Sequence, residues 1–223
     1  MPSPAPTPPH PILPVHDGEA FEVGRIFCIG RNYAAHAAEM GMPAEPLFFM
    51  KPPSALAAPT SVPYPANTKR LDHEIELVLA LGAGGRPQTD DEARALIYAY
   101  AVGVDLTRRD VQGRLKNAGS PWEEAKGFDG SAPVGPLQRA EDVGHPRAGR
   151  IWLSVDGETR QDGRIEDMIL SPEALIVALA RTWKLAPGDL IFTGTPEGVG
   201  PLASGARVEG GVEGVGEITF EVA

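Results

Sequence analysis

Hydrophobic and polar residues alternate most regularly between residues 71 and 81, which read LDHEIELVLAL. Successive side chains of a β-strand point to opposite faces, so one face here carries leucine, histidine and isoleucine, and the other carries Asp72, Glu74 and Glu76. We predict one continuous strand over 71–81. An Asp-Gly pair at 156–157 predicts a tight turn. Other apolar or alternating runs predict strands over 25–29, 47–50, 101–106, 151–155, 190–193 and 217–222.

Local capping signals predict helices between these strands. Thr89 and Glu92 have the spacing of a capping box, and Ser171 followed by Pro172 is typical of a helix start. Asn32 is of the residue type that caps a helix N-terminus. The predicted helices cover residues 32–40, 89–98, 109–118 and 171–183.

The composition favours many short elements. The 223 residues include 26 glycines and 23 prolines, which are typical of turns. Because strands outnumber helices, we predict a mixed α+β, β-rich fold, a mixed β-roll or sandwich with peripheral helices. The Pro-rich start predicts an N-terminal arm over residues 1–21, followed by one domain over residues 22–223.

Charge and cysteine content limit the function classes. The formal net charge is -10, which disfavours binding to nucleic acid or to an anionic membrane, and no apolar run is long enough to span a bilayer. The one cysteine, Cys28, excludes an intrachain disulfide, and its apolar neighbours predict burial. We see no signal peptide, so we expect a cytoplasmic protein.

Acidic residues near the predicted core are the first candidate site. Glu74 and Glu76 lie two apart on a strand, about 7 Å from each other, and two buried carboxylates repel unless a cation joins them. Asp105 ends another apolar strand and is a third candidate. Magnesium prefers such oxygen ligands. The alternatives are an exposed charged face for the glutamates and a helix-capping role for Asp105.

Two further segments carry candidate catalytic groups. His36 and Glu39 lie three apart on a predicted helix, and such a pair is suited to taking a proton from water. Lys126 has small and aromatic neighbours, so it could be partly desolvated and face an anion. The alternatives are a surface charge pair for His36 and Glu39, and an ordinary surface lysine for Lys126.

Polar groups that could bind an acid lie near these residues. Arg108 and Arg109 follow Asp105 closely in the chain, and Gln112 lies one helical turn further on. The loop over 192–200, FTGTPEGVG, offers N–H groups and hydroxyls to a carboxylate or an oxyanion. It lacks the spacing of a phosphate-binding loop.

Six segments together resemble the fumarylacetoacetate hydrolase family over residues 22–222. They are IFCIGRNYAAHAAEMG, FFMKP, HEIELVLAL, GVDLTRRDVQ, PWEEAKGFDGSAPVGP and GDLIFTGTPEGVGP. The chain looks most similar to the bacterial fumarylpyruvate hydrolases of gentisate breakdown, and next to acylpyruvate hydrolases. The resemblance implies a mixed β-roll, a homodimer and dependence on Mg²⁺ or Mn²⁺.

The resemblance also implies a role for each candidate residue. The expected metal ligands are Glu74, Glu76 and Asp105. The expected catalytic residues are His36 and Glu39, which activate water on a segment that acts as a lid in relatives, and Lys126 near the cleaved group. The expected substrate-binding residues are Arg31, Arg108, Gln112 and Thr195.

The function implied by the resemblance is hydrolysis of a carbon–carbon bond in a small anionic 2,4-dioxo acid, with fumarylpyruvate giving fumarate and pyruvate. Three alternatives stay open at this point. The same metal site could decarboxylate oxaloacetate, or it could isomerise a dienoic diacid. The chain could also be a binding module that kept the fold without the chemistry.

Overall fold

The computed structural model describes residues 10–35, 46–57 and 60–223. Within them, strands are more numerous than helices, which confirms the mixed α+β, β-rich prediction. The strands are Ile12–Pro14 (β1), Ala20–Glu22 (β2), Arg25–Gly30 (β3), Leu47–Lys51 (β4), Leu56–Ala57 (β5), Ser61–Val62 (β6), Leu71–His73 (β7), Ile75–Leu81 (β8), Ile97–Val104 (β9), Thr107–Arg108 (β10), Ala132–Pro133 (β11), Gln138–Arg139 (β12), Arg150–Val155 (β13), Glu158–Arg164 (β14), Asp189–Phe192 (β15), Gly200–Leu202 (β16), Arg207–Val212 (β17) and Gly216–Val222 (β18). The helices are Asp90–Arg94 (α1), Arg109–Asn117 (α2), Glu123–Lys126 (α3), Ala140–Val143 (α4) and Pro172–Ala180 (α5).

Two larger sheets enclose the main core. The central sheet has the strand order β12-β9-β8-β15-β3-β4, and the second has the order β14-β13-β17-β18-β6. Both are mixed, because β15 pairs parallel with β3 and β18 pairs parallel with β6. Leu77 and Leu79 of β8 share one buried cluster with Leu153, Val208 and Phe220 of the second sheet.

The other face of the central sheet is also covered. The hairpin of β1 and β2 places Leu13 and Phe21 in a second cluster with Val78 and Leu190 of the central sheet. Cys28 belongs to this cluster and is fully buried, as predicted. Because both faces of the sheet are buried, most residues of its longer strands are apolar, and a polar side chain on them must find partners inside the protein.

The predicted strand over 71–81 is wrong in one respect, because it breaks at Glu74 into β7 and β8. β7 pairs with β10 and β16 in a small sheet, whereas β8 belongs to the central sheet. The alternation itself is confirmed, since Leu71 and Ile75 lie in the main core. Yet Asp72 and Glu76 are also buried, so the polar face does not face solvent.

Helix starts match the sequence signals better than helix ends do. The Thr89 hydroxyl accepts from the Glu92 N–H, and the Ser171 hydroxyl accepts from the Ala174 N–H. However, α1 ends at Arg94, and from Ile97 onwards the chain forms β9, which pairs with β8. The helix predicted over 171–183 ends at Ala180.

Two other predictions concern local backbone shape. Gly119 has a φ of 65° directly after α2 and its cap residue, which fits the predicted end of that helix. Asp156 and Gly157 have φ angles of 52° and 81°, as a tight turn between β13 and β14 requires. The helix predicted over 32–40 falls mostly on residues 36–45, outside the described residues. In the described part of the chain, every helix is too short or too polar to cross a bilayer.

Candidate metal and substrate site

The candidate site lies at one end of the central sheet, where β8 begins and where β9 and β15 end. β8 and β9 pair antiparallel, with Ile75 opposite Val104. The next residues are Glu74 and Asp105, and the N–H of Asp105 donates to the carbonyl of Glu74 at 2.8 Å. Strand pairing therefore brings together acids that are far apart in the sequence.

Three carboxylates converge here, from Glu74, Glu76 and Asp105, called below the three-acid group. One oxygen from each lies within 4.8 Å of the others. All three residues are buried, so the alternative of an exposed charged face is wrong. Asp105 does not cap α2 either, because the residue before that helix is Arg108. The predicted clustering is confirmed, and the role of each acid as a metal ligand stays a prediction.

Lys126 contacts two members of the three-acid group. Its Nζ donates to Glu74 Oε2 and to Asp105 Oδ2, both at 2.8 Å. The residue is buried, which excludes an ordinary surface lysine. Burial by itself lowers the pKa of Lys126, but the carboxylates of Asp105 and Glu74 outweigh it, so the pKa is raised. The side chain is therefore a charged hydrogen-bond donor rather than a base.

Lys51 is a second buried lysine in the site, and the sequence analysis gave it no role. It ends β4, and its Nζ lies 2.8 Å from Asp105 Oδ1. The carbonyl oxygens of Leu106, Lys126 and Ser131 also lie within hydrogen-bond distance of this Nζ and share its three N–H groups with Asp105. Its position directly after the apolar run LFFM was a possible signal, but a lysine at the end of a strand is as often on the surface.

Arg109 is the third basic residue in contact with the acids, and the sequence indicated only that it follows Asp105 closely, without giving it a role. Its Nε donates to Asp72 Oδ2 at 2.8 Å, and its Nη1 donates to Gln112 Oε1 at 2.6 Å. Its remaining branch, Nη2, pairs with Glu74. Gln112, a predicted substrate-binding residue, is thereby joined to the three-acid group through Arg109. Because the guanidinium is rigid and planar, these contacts fix the orientation of the Asp72 and Glu74 carboxylates.

Glu76 differs from the other two acids in its partners. Its Oε2 accepts a hydrogen bond from the Gly194 N–H at 2.6 Å, whereas Lys51, Lys126 and Arg109 contact the other acids. Burial, and then the neighbouring carboxylates of Asp105 and Glu74, raise the pKa of Glu76 well above its ordinary value. A hard divalent cation would offset this repulsion, so the donor set fits Mg²⁺ or Mn²⁺.

The loop after β15 brings Thr195 to the same end of the sheet. The N–H of Thr193 donates to the carbonyl of Leu77, which anchors the loop beside Glu76. The Thr195 hydroxyl accepts from the side-chain amide of Gln161 at 2.8 Å. Thr195 is buried, and its substrate-binding role stays a prediction.

Arg31 and Arg108 are the remaining described candidates, and the structure links them less directly to the acids. Arg31 follows β3 with a φ of 64°. The guanidinium of Arg108 lies 4.4 Å from the ring centroid of Phe128. Within the part of the chain that the structure describes, the Nε atoms of both arginines are buried without a hydrogen-bond partner. Their substrate-binding roles stay predictions.

His36 and Glu39, the predicted water-activating pair, lie within residues 36–45, outside the described residues. The segment before them is held by buried hydrogen bonds. Asn32 is fully buried, and its side-chain amide donates to the carbonyls of Thr193 and Leu170 at 2.8 and 3.0 Å. The segment that leads to His36 is therefore tied to the loop that carries Thr195.

Comparison with known proteins identifies the family. The sequence profile described as Fumarylacetoacetate (FAA) hydrolase C-terminal matches residues 25–223. The chain belongs to the fumarylacetoacetate hydrolase family. The resemblance found in the sequence is thus confirmed, and the expected divalent metal cofactor is supported by the metal dependence of this family and by the three-acid group.

Relatives within the fumarylacetoacetate hydrolase family differ in activity. The chain is similar to fumarylpyruvate hydrolase from Pseudomonas aeruginosa in complex with Mn²⁺ and pyruvate, with a TM-score of 0.93, 45% identity and coverage of 98% of this chain and 97% of that chain. It is 44% identical to the oxaloacetate tautomerase YcgM of Escherichia coli (strain K12), over 83% of this chain and 86% of that protein. It is 32% identical to 2-hydroxyhepta-2,4-diene-1,7-dioate isomerase from Mycobacterium marinum, with a TM-score of 0.80 over 95% of this chain and 77% of that chain.

Proposed function

We propose that this protein is a metal-dependent hydrolase that cleaves fumarylpyruvate, or a closely related acylpyruvate, to pyruvate and a carboxylic acid. The observation that carries this proposal is the buried three-acid group with Lys126 in contact with two of its members. The 45% identity to a fumarylpyruvate hydrolase that binds Mn²⁺ and pyruvate supports the same substrate class. The single cysteine fits a reducing compartment, so we propose that the enzyme acts in the cytoplasm.

The three-acid group is the proposed holder of the metal. A Mg²⁺ or Mn²⁺ ion held there would supply Lewis acidity to the oxygens of an anionic 2-oxo acid. The Gly194 N–H orients Glu76, and Arg109 orients Glu74. Lys126 is held charged, and its N–H groups can stabilise negative charge that develops on an oxygen of the substrate.

His36 and Glu39 are the proposed base for the attacking water. In the hydrolysis, the water oxygen bonds to the C4 acyl carbon, and the C3–C4 bond breaks. One proton of the water passes to the His36–Glu39 pair, and C3 gains a proton to become the methyl group of pyruvate. The C4 fragment leaves as a carboxylic acid, which is fumarate when the substrate is fumarylpyruvate.

A second candidate is oxaloacetate tautomerase, favoured by the 44% identity to a protein of that name. Tautomerisation moves a proton between a carbon and an oxygen, and needs neither an activated water nor bond cleavage. Decarboxylation of oxaloacetate and isomerisation of a dienoic diacid would need the same metal site, and their substrates are also small anionic acids. The candidates differ in their products, so product analysis separates them.

The test is to assay metal-free protein, with and without Mg²⁺ or Mn²⁺, on fumaryl-, maleyl- and acetylpyruvate and on enol-oxaloacetate. We expect fumarate and pyruvate in equal amounts from fumarylpyruvate, and no turnover with excess chelator. Conversion of enol- to keto-oxaloacetate without cleavage of any acylpyruvate would support the tautomerase instead. Full turnover by protein shown to be metal-free would contradict the proposed metal site.

A further inference from the structure

Gln161 is a buried polar residue on a strand that is otherwise largely exposed. β14 is an edge strand of the second sheet, and Gln161 is its one fully buried residue. The pairing of β13 with β14 passes from Leu153 opposite Gln161 to Ser154 opposite Thr159, so Arg160 is an extra residue in a β-bulge. A bulge redirects the side chain next to it, and here it turns Gln161 into the protein.

The side-chain amide of Gln161 uses all of its hydrogen-bonding capacity. Its Oε1 accepts from the Ile75 N–H at 3.1 Å and lies 2.9 Å from His73 Nδ1. Its Nε2 donates to the Thr195 hydroxyl at 2.8 Å and to the Pro196 carbonyl at 2.9 Å. The backbone N–H of Ile75 can only donate and the Pro196 carbonyl can only accept, so these two groups fix which end of the amide is which.

These four contacts join the two segments that form the site. His73 and Ile75 are the residues on either side of Glu74, at the break between β7 and β8. Thr195 and Pro196 belong to the loop whose Gly194 N–H binds Glu76. Gln161 therefore connects the strand that carries the acids to the loop that carries the hydroxyl.

The contact with Gln161 also decides what the Thr195 hydroxyl can do. A hydroxyl has one hydrogen to donate and lone pairs that accept. Because the oxygen already accepts from Gln161, its hydrogen is directed away from that amide and can be donated to a negatively charged group.

We propose that Gln161 is a positioning residue, which orients the Thr195 hydroxyl so that it donates to the carboxylate of a bound 2-oxo acid. Gln161 is itself held in place by His73 and Ile75, on either side of the strand break at Glu74. This inference rests on the proposed function for the substrate class, but not on which acyl group is cleaved. Gln161 itself does not touch the substrate.

The test measures binding rather than turnover, by calorimetric titration of Mn²⁺-loaded protein with oxalate as a small 2-oxo acid mimic. Gln161→Met keeps the length of the side chain and removes its hydrogen bonds. We expect oxalate affinity to fall about tenfold, the scale of one oriented hydrogen bond. Mn²⁺ affinity should stay within about threefold, because the ligand carboxylates are untouched. Thr159→Ala, on the exposed side of the same strand, is the matched control and should bind oxalate as the wild type does.

A double-mutant cycle separates positioning from general damage. Thr195→Val removes the hydroxyl, so Gln161→Met should cause no further loss of oxalate affinity in that background. A second tenfold loss there, or an unchanged affinity in Gln161→Met alone, would overturn the proposal. If Gln161→Met does not fold, Gln161→Glu replaces it in the same cycle, since it keeps the shape and the accepting oxygen.

Failure of this inference can be told apart from failure of the proposed function. Oxalate binding by the wild type with no effect of Gln161→Met would reject the positioning role and leave the substrate class standing. Absence of oxalate binding by the Mn²⁺-loaded wild type would reject both. With a substrate that is turned over, the positioning role further predicts that Gln161→Met raises KM more than it lowers kcat.

Discussion

Single residues in the site divide into those that hold charge and those that move protons. Lys126 and Lys51 are buried and have carboxylate partners, and buried donors of this kind can stabilise an anion. We propose that proton transfer falls to His36 and Glu39 on a different segment. Metal binding and water activation should therefore separate by mutation.

His36→Ala should lose acylpyruvate hydrolysis by about 10²-fold or more, the usual scale for losing a general base. It should still bind Mg²⁺ and oxalate, because the three-acid group is intact. Asp105→Ala should lose both hydrolysis and any oxaloacetate activity, since both need the metal. The measurements are rates on both substrates and metal content of each variant. Hydrolysis at the wild-type rate in His36→Ala would show that water is activated elsewhere.

Glu76→Gln should weaken metal binding and change how the metal-free protein responds to pH. Because the pKa of Glu76 is raised in the metal-free fold, the folded protein keeps a proton on this group that the unfolded chain releases. The free energy of unfolding should therefore fall as the pH rises above the ordinary glutamate pKa of 4.5. The amide does not titrate, so the variant should lose less stability over that range. We expect its metal affinity to fall at least about tenfold.

Thermal unfolding in chelator at several pH values, with a metal titration, measures both effects of Glu76→Gln. Glu221→Gln, an exposed glutamate on β18, is the control and should behave as the wild type does. Parallel stability curves for Glu76→Gln and wild type would contradict the account of Glu76.

At the scale of secondary structure, the site depends on where strands end. β8 begins just after Glu74, β9 ends just before Asp105, and the loop after β15 supplies Gly194. The bulged strand β14 supports that loop from the other side. The loop packs tightly against β14 at Gly198, because a Cβ there would lie 2.2 Å from the Arg160 carbonyl oxygen.

Gly198→Ala should therefore disturb catalysis as well as stability. Gly198 has a φ of 89°, and alanine would add a backbone clash to the strain, so the loop must shift. Gly205→Ala is a matched control, since Gly205 has a φ of 85° and open space around the added Cβ. We expect Gly205→Ala to cost about 1–2 kcal/mol of stability with normal kcat and KM.

Gly198→Ala should lose more stability than Gly205→Ala and should reduce kcat/KM by about tenfold or more, because the shifted loop carries Thr195. Thermal unfolding and steady-state kinetics on both variants test this. Equal kinetics for the two would mean that the contact between the loop and β14 has no part in the site.

At the scale of the whole molecule, charge is unevenly distributed. The chain has a formal net charge of -10, yet three basic side chains, from Lys51, Arg109 and Lys126, are gathered around the acids of the site. Together with a bound divalent cation, these basic groups would attract the proposed anionic substrate locally, against the field of the protein as a whole.

We also propose that the protein is a homodimer, as its family resemblance implies. Sedimentation equilibrium at micromolar protein should give about twice the chain mass of 23.6 kDa. The measurement should be repeated with chelator, because the three-acid group lies within one chain and metal removal should leave the dimer intact. A species of one chain mass alone would contradict the proposal.

The sequence by itself determined the features that have local causes. The cap at Thr89, the start of α5 at Ser171 and the turn at Asp156 each follow from residues within a few positions of one another. The β-rich class followed from the same kind of signal, repeated along the chain. The family, and with it the acids of the site, could be recognised because motif residues are contiguous in the sequence.

Only the tertiary structure decided how those residues are completed into a site. The break at Glu74 arises because β7 and β8 pair in different sheets, which no local pattern specifies. Lys51 meets Asp105, and Gln161 meets both Ile75 and Thr195, across long stretches of chain. The alternation of acidic and apolar residues is typical of an exposed acidic face, but because both faces of the central sheet are buried, these acids lie inside the protein. A buried charge is paired with residues from distant segments that pack against it, and the pattern of neighbouring residues along the chain does not specify that packing.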